Sequence, residues 1–144
     1  MSEQLFFNFP FKKNYLSQDF YVSENNYNAF KLIESWPTWP GKWLNIFGES
    51  GSGKTHLSKI LEKKIKKIKL INAKDLTENI VEELNNVDCL IIDNFENNIN
   101  ENLFYSIFNQ SKQLDNYILI NSKKSIKNIN FNLKDLSSRI SSLI

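Results

Sequence analysis

A parallel α/β sheet with flanking helices is the fold class this 144-residue chain predicts. Three observations carry the prediction. Short apolar runs alternate along the chain with longer segments of helical period. The octapeptide Gly48-Glu49-Ser50-Gly51-Ser52-Gly53-Lys54-Thr55 follows one such run and opens a helical segment. The run Cys89-Leu-Ile-Ile-Asp93 is apolar up to its final carboxylate, as expected of a strand buried on both faces.

Taken in order, residues 1–18 show neither period and read as an N-terminal arm. Ser23 is placed to cap a helix to about Trp36, with Phe30 and Ile33 in its apolar stripe. Trp36-Pro-Thr-Trp-Pro-Gly41 reads as a stiff turn, because both prolines resist helix continuation. Trp43 to Phe47 is a short strand feeding the glycine loop, and Lys54 to about Lys67 is the helix after it. Ile68 to Asn72 is a second strand. Asp75 is expected to cap a helix to about Asn85. Asp88 to Asp93 is the third strand. Asn100 to about Leu114 is a helix with Leu103, Ile107 and Leu114 on one side. Tyr117 to Asn121 is the fourth strand, and Lys134 to Leu143 a last short helix. Strands and helices in this alternation form a parallel sheet with right-handed crossovers. Ligands then bind beyond the carboxyl ends of the strands. The glycine loop, Asp93 and Asn121 all fall at such ends.

The octapeptide fits G-x-x-x-x-G-K-[ST] at every fixed position. Three of the four glycines of the chain lie in it. Glycines let successive backbone N–H groups turn inward as an anion nest. The helix that follows presents its positive end to the same anion. Lys54 is expected to reach the β- and γ-phosphates and Thr55 to ligate Mg²⁺. A plain Gly/Ser turn is the competing reading, and the strand–loop–helix context disfavours it. Asp93 completes a metal–nucleotide site as a second Mg²⁺ partner. By itself such an aspartate would as readily start a turn.

Asn94 stands where hydrolytic members of this class place a carboxylate. An amide orients water but does not take its proton, so weak intrinsic hydrolysis is expected. Glu96 is a substitute base of unknown aim. Asn121 is a candidate contact for the γ-phosphate or the attacking water; in so Asn-rich a chain a cap is nearly as good a reading. Arg139 is the only arginine among eighteen basic residues. A position that keeps it points to a need for the planar fork, as in a finger reaching a neighbour's phosphate. A surface salt bridge is the alternative. His56 follows the loop and is expected to pack on the first helical turn. Lys63, Lys64, Lys66, Lys67 and Lys69 form a basic cluster that complements a helix end; direct DNA contact is the minority reading.

Composition narrows the class. Hydrophobic residues make up 41% and charged residues 24%, which describes an ordinary globular chain. A net charge of +2 does not by itself imply nucleic acid. The single cysteine, Cys89, excludes an internal disulfide and fits a reducing cytoplasm. No apolar run approaches membrane-spanning length, and no signal peptide is evident.

G-E-S-G-S-G-K-T-H-L, C-L-I-I-D-N-F-E and D-L-S-S-R-I together resemble the AAA+ module of the DnaA family. The D-N-x-E strand ending is closer to its regulatory Hda branch. The resemblance covers essentially the whole chain. It implies a P-loop NTPase fold of AAA+/ASCE type and an ATP or ADP site with Mg²⁺. Within it Asn121 falls at sensor 1 and Arg139 at the box VII arginine. Phe20 and Val22 fall in the entry segment that cradles adenine. Gln4-Leu5-Phe6-Phe7-Asn8-Phe9 resembles the peptide by which such factors dock on the sliding clamp of DNA polymerase III, with Phe7 in place of the usual leucine. An arm folded back on its own core is the alternative. The implied division is an arm, 1–18, and an AAA+ core, 19–144. The implied role is to stimulate hydrolysis of ATP bound to the DnaA initiator, with homo-oligomers possible and no membrane. The family continues with a fifth strand and a helical lid that this sequence lacks, so Trp43 to Phe47 is expected to be an unprotected edge. No DNA-binding helix-turn-helix follows. A helicase-loader-like ATPase, a small-molecule phosphotransferase and an inactive fragment are the competing functions; the scarcity of arginine argues against the phosphotransferase.

Overall fold

The computed structural model describes residues 4–6, 27–39, 41–48, 53–96, 99–129 and 131–140. Five parallel strands form one sheet. They are β1 (Gln4–Phe6), β2 (Trp43–Phe47), β3 (Ile68–Asn72), β4 (Cys89–Phe95) and β5 (Tyr117–Ser122), in the spatial order β1-β2-β5-β4-β3. The helices are α1 (Tyr27–Glu34), α2 (Lys54–Lys64), α3 (Asn79–Glu83), α4 (Glu101–Leu114) and α5 (Lys134–Ile140).

Alternation along the central strands divides the core into two layers. Leu44, Ile46, Cys89, Ile91 and Leu119 face one side and pack with Ile33 of α1 and Leu57 and Leu61 of α2. Trp43, Leu90, Ile92, Ile118 and Ile120 face the other side and pack with Ile80 of α3, Phe104, Ile107 and Phe108 of α4, and Leu136 and Ile140 of α5. A period of two puts both sets on opposite faces, and helices on each face remove both from water. Every residue of β3 is half-buried, as befits an edge, and Lys69 pairs with Glu83 at 3.5 Å outside it.

Four differences from the sequence expectations have physical causes. First, the edge of β2 is covered. Gln4–Phe6, expected in a free arm, pairs in parallel with it, Leu5 opposite Ile46. The five-stranded sheet therefore takes its fifth strand from the N-terminal side, and unpaired backbone groups on β2 are satisfied. Second, Asp75 does not cap a helix. Asn72 accepts from the Lys74 N–H at 3.2 Å and caps a 3-10 turn, Ala73–Asp75, and α3 starts later. Third, Leu114 is the exposed large apolar residue of the described chain, at 37%. It ends α4 one residue before Asp115, whose left-handed φ of 60° closes the helix. Fourth, β4 runs past Asp93 to Phe95 through a bulge: Ile92 pairs with Ile120 and Phe95 with Ser122, so Asp93 and Asn94 together oppose Asn121. Asn94 has φ 54°, a conformation asparagine tolerates better than most residues. The expected Ser23 cap, and residues 141–144 of the last helix, lie outside the described residues.

Polar side chains also tie the layers. Asn45, fully buried in the middle of β2, donates to Ile120 O at 2.9 Å and to Ser122 Oγ at 3.1 Å. Its Oδ1 accepts from the Ile126 N–H at 3.2 Å. The strand end and the loop after β5 are thereby held together.

Candidate functional site

Three strand ends converge. β2 delivers Gly48, whose N–H donates to Ser122 O at 3.0 Å on β5. Gly53 precedes α2 with φ 99°, a left-handed turn for which glycine has no Cβ penalty. Lys54 and Thr55 then open the helix. Glu49, Ser50, Gly51 and Ser52, the middle of the loop, lie outside the described residues. Lys54 Nζ donates to the Gly48 carbonyl across the loop.

Thr55 and Asp93 meet although distant in sequence: Thr55 Oγ1 donates to Asp93 Oδ2 at 3.2 Å. Asp93 Oδ1 accepts from the Asn94 N–H at 3.0 Å and from Asn121 Nδ2 at 3.4 Å. The bulge at Asp93–Asn94 interrupts the β4–β5 ladder at the carboxylate, and such irregularities concentrate beside functional sites. A hydroxyl and a carboxylate side by side are hard oxygen donors that suit Mg²⁺, which typically takes one or two protein oxygens and completes its shell with phosphates and water. Among the described residues no group of three or more His, Cys, Asp and Glu could hold a metal ion.

Asn121 is fully buried next to last in β5. It belongs to the same cluster as Asp93. Its shorter partner is Ser58, whose Oγ accepts from Nδ2 at 2.6 Å. The sequence reading did not single out Ser58. Its position one turn beyond Lys54 on α2 carries no sequence signal by itself. His56 is buried, 1% exposed, in the first turn of α2.

Several expected residues are elsewhere. Arg139 Nη2 donates to Asn109 Oδ1 on α4 at 2.9 Å. It lines a small hollow of about 220 Å³ with Lys42, Trp43, Ser111, Lys112 and Asp115. Lys42 and Trp43 mark the amino end of β2, and the loop, Thr55 and Asp93 its carboxyl side, so Arg139 is not in this chain's own phosphate site. Asn94 and Glu96 are exposed and line a cavity of about 480 Å³ with Asn72, Lys74 and Asn100. Phe20, Val22, Phe7, Asn8 and Phe9 lie outside the described residues. Of the expected docking peptide, Gln4–Phe6 is in the sheet.

The parallel α/β sheet and its strand order, with the glycine sequence following β2, are those of a P-loop fold of the AAA+ kind. The chain belongs to the family described as RNA helicase, whose model matches residues 44–136. It is similar to the chromosomal replication initiator protein DnaA of Spiroplasma citri, 29% identical over 146 residues. That alignment takes in 81% of this chain and 32% of the relative, so the chain spans about a third of its length. The fold matches domain III of the Thermotoga maritima replication initiation protein DnaA, with TM-score 0.72 and 22% identity over 94% of this chain and 67% of that one. It also matches AMPPCP-bound DnaA from Aquifex aeolicus, with TM-score 0.71 and 24% identity over 90% of this chain and 48% of that one. The domain is thus DnaA-like in fold.

Proposed function

We propose that this protein is an ATP- or ADP-binding, DnaA-like regulator of replication initiation. It docks on the polymerase sliding clamp and stimulates hydrolysis of ATP bound to the DnaA initiator. The observation that carries the nucleotide half is the 3.2 Å meeting of Thr55 and Asp93 beside a P-loop helix. A fold matched by an AMPPCP-bound DnaA supports it. In this reading Gly48 to Thr55 and His56 hold the phosphates, Phe20 and Val22 contact the base, and Thr55 with Asp93 holds Mg²⁺.

The regulatory half rests on Arg139. A guanidinium at the opposite end of the sheet from its own loop has no part in its own phosphate chemistry. Half-buried on α5 and steadied by Asn109, it is presented to a neighbour instead. Asn94 lacks the acid–base capacity for hydrolysis, so the chain's own nucleotide is held more than consumed.

Docking through Gln4 to Phe9 requires β1 to leave the edge of β2, because the same backbone cannot pair with β2 and lie in a clamp groove at once. Three strand residues form a short ladder, which local opening can release at small cost. The reading is tested by pull-down on purified clamp and by clamp-dependent stimulation of ATP hydrolysis on DnaA. Gln4→Ala with Leu5→Ala is expected to abolish capture. Arg139→Ala is expected to bind ADP within about twofold of wild type and to lose stimulation. Capture that survives the double substitution removes the docking claim. Stimulation that survives Arg139→Ala removes the finger.

A further inference from the structure

Arg139 forms no ion pair among the described residues. Its guanidinium is anchored on a neutral group instead: Nη2 donates to Asn109 Oδ1 of α4 at 2.9 Å. That bond steadies the side chain and leaves its charge uncompensated. Lys112 stands one turn beyond Asn109 on the same face of α4. It too has no ion pair among the described residues. Both cations line the hollow of about 220 Å³ at the amino end of β2. The carboxylate that also lines it, Asp115, is taken by Lys42 at 3.3 Å, and Lys42 lies over the Tyr117 ring at 4.0 Å. Arg139 and Lys112 therefore share a hollow without a counter-charge among the described residues. The hollow is smaller than the roughly 300–1,000 Å³ of small-molecule pockets. It has room for one anionic group and not for a whole nucleotide, so the rest of such a ligand stays outside, on the molecule that presents it.

We propose that Lys112 is the second cation of the Arg139 site: α4 and α5 present an ammonium and a guanidinium to one terminal phosphate carried by a neighbouring molecule. This rests on the regulatory reading of Arg139 above and adds to it a residue and a ligand class. Two like charges at one hollow repel each other, and a doubly charged phosphate offsets both, whereas a carboxylate offsets one. The two side chains act differently. The guanidinium offers a planar fork to two oxygens, and the ammonium is a mobile point charge. Lys112 lies in the last turn of α4, where a cation also complements the helix dipole. That role alone would move stability and leave anion affinity unchanged.

The chain supplies its own reporter. Arg139 is its only arginine, so one side-chain Nε–H signal in ¹⁵N-labelled protein reports on this hollow, whatever binds elsewhere. The test titrates inorganic pyrophosphate, and acetate as the carboxylate arm, at constant ionic strength into wild type, Lys112→Gln and Lys112→Arg. In wild type the Arg139 signal is expected to shift and saturate with pyrophosphate, and to bind acetate at least tenfold more weakly. Lys112→Gln is expected to weaken pyrophosphate about threefold to tenfold, the worth of one charge-assisted contact near the surface. Lys112→Arg is expected to stay within twofold of wild type. A wild-type shift that never saturates, acetate bound as tightly as pyrophosphate, or Lys112→Gln within twofold of wild type overturns the proposal. Stimulation of ATP hydrolysis on DnaA is the second arm. Lys112→Gln is expected to lower it by a similar factor, and unchanged stimulation overturns the claim that the hollow meets a neighbour's phosphate. Wild type that does not stimulate at all would overturn the regulatory reading alone, and the Arg139 titration would still decide the part of Lys112.

Discussion

Thr55→Ala tests the candidate site most directly, because the structure separates its effect on folding from its effect on binding. Asp93 does not lose its last partner when the Thr55 hydroxyl goes: the Asn94 N–H at 3.0 Å and Asn121 Nδ2 at 3.4 Å remain. The bond removed is half-buried, and alanine suits a helix at least as well. Loss of stability without ligand is therefore about 1 kcal/mol or less. Binding is another matter. If Thr55 is one of two protein oxygens on Mg²⁺, as proposed, about 1.4 kcal/mol, or tenfold in affinity, is expected to go with it. In a thermal scan with Mg²⁺–ADP at about 100 times its dissociation constant, wild type gains about 2.7 kcal/mol. For a domain of this size that is about 5–10 °C. Thr55→Ala then sits at about ten times its own constant and gains about half as much. In EDTA the two proteins should shift alike. Equal shifts with Mg²⁺, or no stabilisation of wild type by ADP or ATP, would refute the reasoning from Thr55 and Asp93.

Other substitutions probe the frame around the site. Phe104 is fully buried and touches the Phe95 ring at 4.9 Å and the Phe108 ring at 4.8 Å. Phe104→Ala should cost about 4–5 kcal/mol in urea denaturation; a loss under about 2 kcal/mol would show that this layer repacks. Asn45→Ala removes three hydrogen bonds and strands the Ile126 N–H. About 2–4 kcal/mol should go, and a neutral result would mean that the loop after β5 is held by other contacts. Burial, with the charge of Asp88 nearby, pushes the Cys89 thiol well above the usual thiol range. At pH 8 it should resist a thiol-specific reagent while the protein is folded and react once denatured; matched rates in both states would contradict its placement in the sheet.

The central strands β4 and β5 were legible because both faces of the sheet are covered there. Cys89-Leu-Ile-Ile and Tyr117-Ile-Leu-Ile needed no neighbour to be read as buried strands. The glycine loop was legible for a local reason: Gly53 at φ 99° and the helix start after it lie within a few residues of each other. Asp75 and Leu114 misled because turn caps and helix ends depend on where the chain must bend next, which short patterns do not encode. Ser58 escaped notice because a serine in a helix has no signature until its partner, on another strand, is known.

The sequence by itself determined the parallel α/β class and the candidacy of the glycine loop, Asp93, Asn121 and Arg139, since local period and motif spacing carry that information. Only the tertiary structure decided three further matters. Asp93 reaches Thr55 through a bulge, Arg139 stands at the far end of the sheet, and Gln4–Phe6 lies along β2. Each is a contact between segments far apart in sequence. Strand order and register set such contacts, and no local pattern along the chain contains them.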